Sequence, residues 1–169
     1  MISAAETMIQ ELEGEAQATR RLLERVPADR LTWKPHEKSM TLGQLALHVA
    51  VIPGSLTELS RQDGMDAATV DFTAGQPEST DAVLAAYDGS LAKAREHLAA
   101  LDEESAGAPW TLTAGEREIF TVPRLAFLRT LAFNHWYHHR GQLTVYLRLL
   151  DVPLPATYGR SADESAFGG

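Results

Sequence analysis

Apolar side chains recur at three- and four-residue spacing along most of the chain, the period of an amphipathic helix, and they predict four long helices. The first covers residues 4–24. Met8, Leu12, Ala16, Leu22 and Leu23 form its apolar stripe, with Glu11, Glu13, Glu15 and Arg20 facing outward and Pro27 ending the run. Residues 27–40, with Trp33, Pro35 and His36, read as an ordered loop holding a short helical turn at 28–31. The second helix opens at Thr41, because Gln44 follows three residues later in the capping-box pattern. It runs through Leu45, His48, Ile52 and Leu56 to residue 62, with a kink or break expected at Pro53. Residues 63–79 contain Gly64, Gly75 and Pro77 and read as a connection. The third helix, 79–101, carries Val83, Leu84, Tyr87, Leu91, Ala94 and Leu98, and Asp81 in its first turn suits the helix dipole. Residues 110–112 and 118–120 flank Thr113-Ala114-Gly115-Glu116 as a small hairpin would. The fourth helix, 122–150, is the longest. Gly141 inside it costs about 1 kcal/mol relative to Ala, which predicts that a neighbouring element packs closely there. The tail, 155–169, is polar, with Tyr158 and Phe167 as apolar anchors.

This pattern predicts a single domain over residues 1–169, of the all-α class: a four-helix bundle with long connections after the second and third helices. No Val/Ile run suggests a buried parallel sheet.

Composition narrows the chemistry. The 169 residues include 15 Lys+Arg against 23 Asp+Glu, a formal net charge of −8. Such a surface repels phosphate backbones and anionic lipid, so neither nucleic acid nor membrane is an expected partner. No stretch approaches the roughly 18 apolar residues of a membrane span, and no basic segment followed by an apolar one opens the chain, so the expected location is cytoplasmic. There is no cysteine. That removes disulfides, Cys-based zinc sites, iron–sulfur clusters and a thiol nucleophile. Any metal site must be built from His, Asp and Glu, and six His are available.

The dense signal is Asn134-His135-Trp136-Tyr137-His138-His139-Arg140. His135 and His139 lie one turn apart on one helix face, so both imidazoles can reach a single ion. Traced at about 100° per residue, that face carries Leu128, Ala132, His135, His139, Gln142, Tyr146 and Leu150, a stripe expected to look inward. His138 falls at its edge, and Arg140 nearly opposite, on the surface or at a subunit contact. On the second helix His48 shares a face with Thr41, Gln44, Leu45, Ile52, Ser55 and Leu59. One His from the second helix and two from the fourth make a three-imidazole site with an open position, the arrangement of catalytic rather than structural zinc. Gln44 and Gln142, about one turn from these rings, are candidates to orient an imidazole or a substrate. A single buried His is ordinarily a hydrogen-bonded core residue, but three inward His would need three separate partners. His36, in a loop, and His97, beside Arg95 and Glu96, are expected to be solvated.

Sharper templates fail. Trp136 stands where a zinc-protease helix carries Glu, the paired Glu-x-x-His elements of di-iron bundles are missing, and no G-x-S-x-G elbow, P-loop or G-x-G-x-x-G occurs.

The segments Thr41-Leu42-Gly43-Gln44-Leu45-Ala46-Leu47-His48 and His135-x-x-x-His139-Arg140-Gly141-Gln142-Leu143, followed by Tyr146-Leu147-Arg148, Pro155-Ala156-Thr157-Tyr158-Gly159 and Ser161-Ala162-Asp163-Glu164, resemble the signatures of the DinB/YfiT-like family. The resemblance spans essentially the whole chain. It implies a four-helix bundle that binds one divalent ion, zinc or nickel, through His48, His135 and His139, and commonly a homodimer. Relatives in the wider superfamily include thiol-dependent S-transferases and a mycothiol-dependent isomerase, so a metal-dependent transferase that activates a low-molecular-weight thiol is one implied activity. A non-enzymatic, stress-associated metal-binding dimer and a metal-dependent hydrolase are the alternatives. Without cysteine, any thiol must come from a cosubstrate, and no carboxylate stands out as a general base.

Overall fold

The computed structural model describes residues 3–73 and 75–165. Helix α1 is Ala4–Leu23, α2 Leu42–Leu59 and α3 Thr80–Ala99. A short α4, Glu103–Gly107, was not expected; Asp102 caps it by accepting the Ser105 amide. The fourth long helical segment spans residues 124–149 in three parts: α5 Arg124–Phe127, a π-helical segment Leu128–Asn134, and α6 His135–Leu149. It starts two residues later than predicted, because Val122 and Pro123 end a strand. A 3-10 turn at Ala28–Arg30 occupies the loop where a helical turn was expected.

The helix starts follow from local chemistry. Ser3 and Glu6 form a capping box on α1, and Thr41 and Gln44 form the one on α2. Helix α2 runs unbroken through Pro53. Proline removes an amide from the ladder, and α3 supplies a partner for the disturbed turn. The Ser90 hydroxyl accepts the Gly54 amide at 2.8 Å and donates to the Val51 carbonyl at 3.1 Å. Gly54 permits that approach, since a Cβ there would lie 2.8 Å from the Ser90 carbonyl oxygen. Thr57 Oγ1 donates to the Pro53 carbonyl at 2.7 Å.

The all-α expectation needs correction. The hairpin is real and longer than predicted, with β2 Pro109–Ala114 antiparallel to β3 Arg117–Pro123. A further strand, β1 Gly64–Asp66, falls in what read as a plain connection and pairs parallel with β2 in the order β1-β2-β3. Gly64 sits so close to the Thr111 carbonyl oxygen that a Cβ would come within 2.2 Å. Asp66 accepts the Ala68 and Gly115 amides, tying β1 to the tip of the hairpin. Three residues are too short a run to show a periodic pattern, which hid β1 in the sequence.

Helix α2 packs against α3 on one side and against α6 and the π segment on the other; α1 packs on α3. The core includes Leu12, Leu23, Val49, Tyr87, Trp136 and Leu143, all nearly or fully excluded from solvent. Full burial of each aliphatic side chain stabilises the fold by about 1.5–3 kcal/mol.

The π segment changes which face of the last helix is buried. A π turn takes more residues than an α turn, so a stripe traced at 100° slips as it crosses residues 128–134. From the buried Ala132 the core face continues to Trp136, Arg140, Leu143 and Leu147, not to His135, His139 and Gln142. Arg140, expected on the surface or at a subunit contact, is 3% exposed within the single chain. Its guanidinium meets Glu15 Oε2 at 2.6 Å and Thr19 Oγ1 at 3.0 Å, and also bonds the Tyr158 hydroxyl. The Trp136, Tyr137 and Tyr158 rings lie within 5.9 Å of it. Tyr158 thus anchors the tail through its hydroxyl, which also donates to Glu15, while its ring stays exposed. Phe167 lies outside the described residues. Gly141 is not a packing site among the described residues, none of which lies within 4 Å of a Cβ built there. At the other end of the segment Arg124 is buried and donates to Ser105, Gln62 and Asp63, fixing the helix start against α4 and the chain after α2.

Candidate metal centre

The slip of the last helix leaves His135 and His139 on the flank of the core, facing α2, half-buried rather than pointing into the interior. Helix α2 brings His48 against them. Ring nitrogens of His48, His135 and His139 lie within 4.8 Å of one another. The Nε2 atoms of His48 and His135 are 3.1 Å apart, and the ring centroids of His48–His139 and His135–His139 are separated by 4.5 and 4.4 Å. Two nitrogens at about 2.0–2.1 Å from one tetrahedral ion stand roughly 3.3 Å apart, close to the separation of His48 and His135.

The electrostatics keep these rings neutral. Burial pushes the His48 imidazole down to about 4, with His139 and His135 adding like-charge repulsion. Burial also lowers His135, helped by His139 and His138. His139 is lowered by burial, opposed by its hydrogen bond to Gln142, with His138 adding to the lowering. At neutral pH each ring therefore keeps a lone pair for a cation. Gln142 Oε1 lies 2.8 Å from His139 Nδ1; it accepts that N–H, which leaves Nε2 as the free donor atom. Among the described residues the cluster holds three imidazoles and no carboxylate, a donor set suited to a divalent transition ion. The residues fit such an ion.

The other predicted positions separate. Gln44 spends its Oε1 on the Thr41 amide in the capping box, yet its side chain also reaches the cavity described below. Gln142 is on the surface apart from its bond to His139. His138 is exposed, its ring 5.0 Å from that of His139, and outside the cluster. His36 is exposed. His97 is partly buried rather than solvated, with Nδ1 3.3 Å from Thr57 Oγ1.

What adjoins the histidine cluster has no signal in the local sequence pattern. A cavity of about 510 Å³ opens beside His48 and His135. Its walls are Ile52, Leu56 and Leu59 of α2, Met65 of β1, Trp110 and Leu112 of β2, and Phe127 and Leu131 of the last helical segment. Met65 pairs with Leu112, and Trp110 stands two residues before Leu112, so the pleat turns all three to one face. Trp110 stacks on Phe127 at 3.9 Å. The alternation of Trp110 and Leu112 was visible; that it faces the histidines was not, because β1 and the π segment set that geometry.

The comparisons agree with this architecture. The model of the DinB family matches residues 1–167. An uncharacterized protein, YrdA, of Bacillus subtilis (strain 168) is 26% identical over 172 residues, covering 100% of this chain and 96% of its own length. The crystal structure of a DinB-like protein from Bacillus cereus ATCC 10987 matches at TM-score 0.63 and 25% identity, covering 88% of this chain and 94% of that one. A DinB-like protein from Bacillus subtilis, YjoA, shares the fold at TM-score 0.68 and 22% identity, covering 92% and 99%. Whole-chain agreement with the family model and two solved DinB-like folds leave one conclusion: the chain belongs to the DinB family.

Proposed function

We propose that this protein is a divalent-metal-dependent transferase that joins a low-molecular-weight thiol to a small electrophile, with the four long helical segments as its bundle scaffold. The observation that supports it is the opening of a three-imidazole cluster onto a cavity large enough for a small organic molecule. His48, His135 and His139 hold the ion, zinc or nickel, and Gln142 fixes the tautomer and orientation of His139. The ion supplies positive charge that lowers the pKa of a thiol brought to it. The chain has no cysteine, so that thiol is a cosubstrate. Among the described residues no carboxylate stands with the three imidazoles, and the one carboxylate lining the cavity, Asp71, is exposed, which favours the transferase over the hydrolase. A bundle that used its ion for stability alone would have no need of a cavity beside it.

The active species in this reading is a cytoplasmic homodimer. Gly141, Val145 and Leu149 form an open strip on α6, with Val145 and Leu149 more than half exposed. A second copy placed there would supply the close neighbour that Gly141 lacks among the described residues of its own chain.

Elemental analysis of the purified protein should find about one divalent ion per chain, lost when His48, His135 or His139 becomes Ala. The loaded protein should conjugate at least one electrophile from a panel offered with bacillithiol, mycothiol, glutathione and coenzyme A. Tight metal binding that survives all three replacements removes the site. A loaded protein inert across the panel removes the transferase.

A further inference from the structure

The cavity and the cosubstrate are chemically mismatched. Low-molecular-weight thiols carry amides, hydroxyls and charges, each of which must keep a partner when it leaves water. The cavity wall offers little of that kind. Beyond the two histidines and Gln44, its polar side chains are Ser55, Asp71 and Thr73, all exposed. The interior is aliphatic and aromatic, backed by the stacked pair Trp110 and Phe127, and Ile52, Trp110 and Phe127 are almost completely buried. Its volume, about 510 Å³, falls in the range of roughly 300–1,000 Å³ in which proteins hold small organic ligands. Walls from α2, the small sheet, the connection after β1 and the last helical segment make it a concavity rather than a flat face, the shape for a small molecule and not for a protein surface. Asp71 sets a further limit. Hydrogen bonds from the Thr73 hydroxyl and amide hold its carboxyl below the usual carboxylate range, so it stands ionised among the lining residues.

We propose that the cavity receives an uncharged apolar chain or ring of the electrophile, while the thiol meets the cluster from outside the cavity. This rests on the metal-dependent reading above and names the substrate class of that site. His48 and His135 face the cavity, whereas His139 is not among its lining residues and is held from its outer side by the exposed Gln142. The cluster therefore stands between the apolar cavity and the exposed Gln142. An electrophile ending in a carboxylate is disfavoured, because its charge would enter apolar walls and meet Asp71.

The test uses the full chain loaded with Zn²⁺ and a homologous series of straight-chain alkyl hydroxamates, from acetohydroxamate to decanohydroxamate, measured by calorimetry. The hydroxamate head binds zinc, and the chain probes the cavity. Each added methylene should tighten Kd roughly three- to fourfold until the cavity is full. An ether oxygen in mid-chain, or a terminal carboxylate, should reverse that gain. Leu56→Trp, which fills the wall of α2, should end the gradient at a shorter chain with zinc content unchanged. A flat series with the head still bound overturns the proposal and leaves the metal site standing. An unaltered gradient in a folded, zinc-loaded L56W protein also overturns it, because the chain then lies elsewhere. A chain that takes up no zinc but tightens on n-alkanols with length, and loses that gradient in L56W, upholds the cavity and removes the metal reading instead.

Discussion

Replacing Arg140 by Met removes one guanidinium and keeps most of its apolar stem. A surface arginine on α6 would tolerate this with a change within about 0.5 kcal/mol. The structure demands a different result. Arg140 is 3% exposed, and its partner Glu15 sits at 2.6 Å with a side chain only 17% exposed. Without the guanidinium, the half-buried Glu15 side chain loses its ion-pair partner, Thr19 loses a partner, and the Tyr158 hydroxyl loses its donor. Breaking one side of such a pair costs about 3–5 kcal/mol, most of it from the stranded charge. With a urea dependence of roughly 2 kcal/mol per molar for a chain of this size, the midpoint should fall by about 1.5–2.5 M. The double variant Arg140→Met with Glu15→Gln removes the stranded charge and should regain more than half of that loss. The assay is urea unfolding followed by circular dichroism on wild type, both single variants and the double. A loss under about 1 kcal/mol in R140M would instead return Arg140 to the solvent-facing phase of an unbroken α-helix and overturn its burial.

In metal-free protein His48 ties stability to pH. The unfolded chain takes up its proton below about 6.5 and the folded chain only below about 4, so its contribution is complete above pH 6.5 and is lost as the pH falls toward 4. After discounting for its partial exposure the effect is on the order of 1–2 kcal/mol; urea midpoints with chelator at pH 7.5 and 4.5 should differ less in His48→Gln than in wild type, and parallel shifts would contradict the assignment. Ser90→Ala should lower Tm by roughly 4–8 °C, because the Gly54 amide and Val51 carbonyl beside Pro53 lose their partner; an unchanged melting curve would show that water replaces the hydroxyl. Gln142→Ala should weaken metal binding about 10–100-fold with the circular dichroism spectrum intact, and equal affinity would remove its orienting role. Light scattering should give the mass of two chains for wild type and of one for the double variant Val145→Glu with Leu149→Glu; a wild-type mass of one chain would end the homodimer reading.

The sequence by itself determined what local chemistry and spacing can carry. Helix starts at Thr41 and Ser79 are written in side chains that satisfy nearby amides, and a hairpin is readable around Gly115. His135 and His139 are neighbours on any helix, so half of the cluster follows from their spacing. Their meeting with His48 is a fact of packing between α2 and the last helical segment. Three features needed the tertiary structure, each for a physical reason. The π segment changes the number of residues per turn, which moved Arg140 into the core and the two histidines to its flank. The strand Gly64–Asp66 forms because β2 lends it hydrogen bonds from residues more than forty positions away, and no local pattern announces such a partner. The cavity belongs to no segment: its walls come from α2, β1 and the connection that follows it, β2 and the last helical segment, so the apolar compartment beside the histidines exists only once all of them are in place.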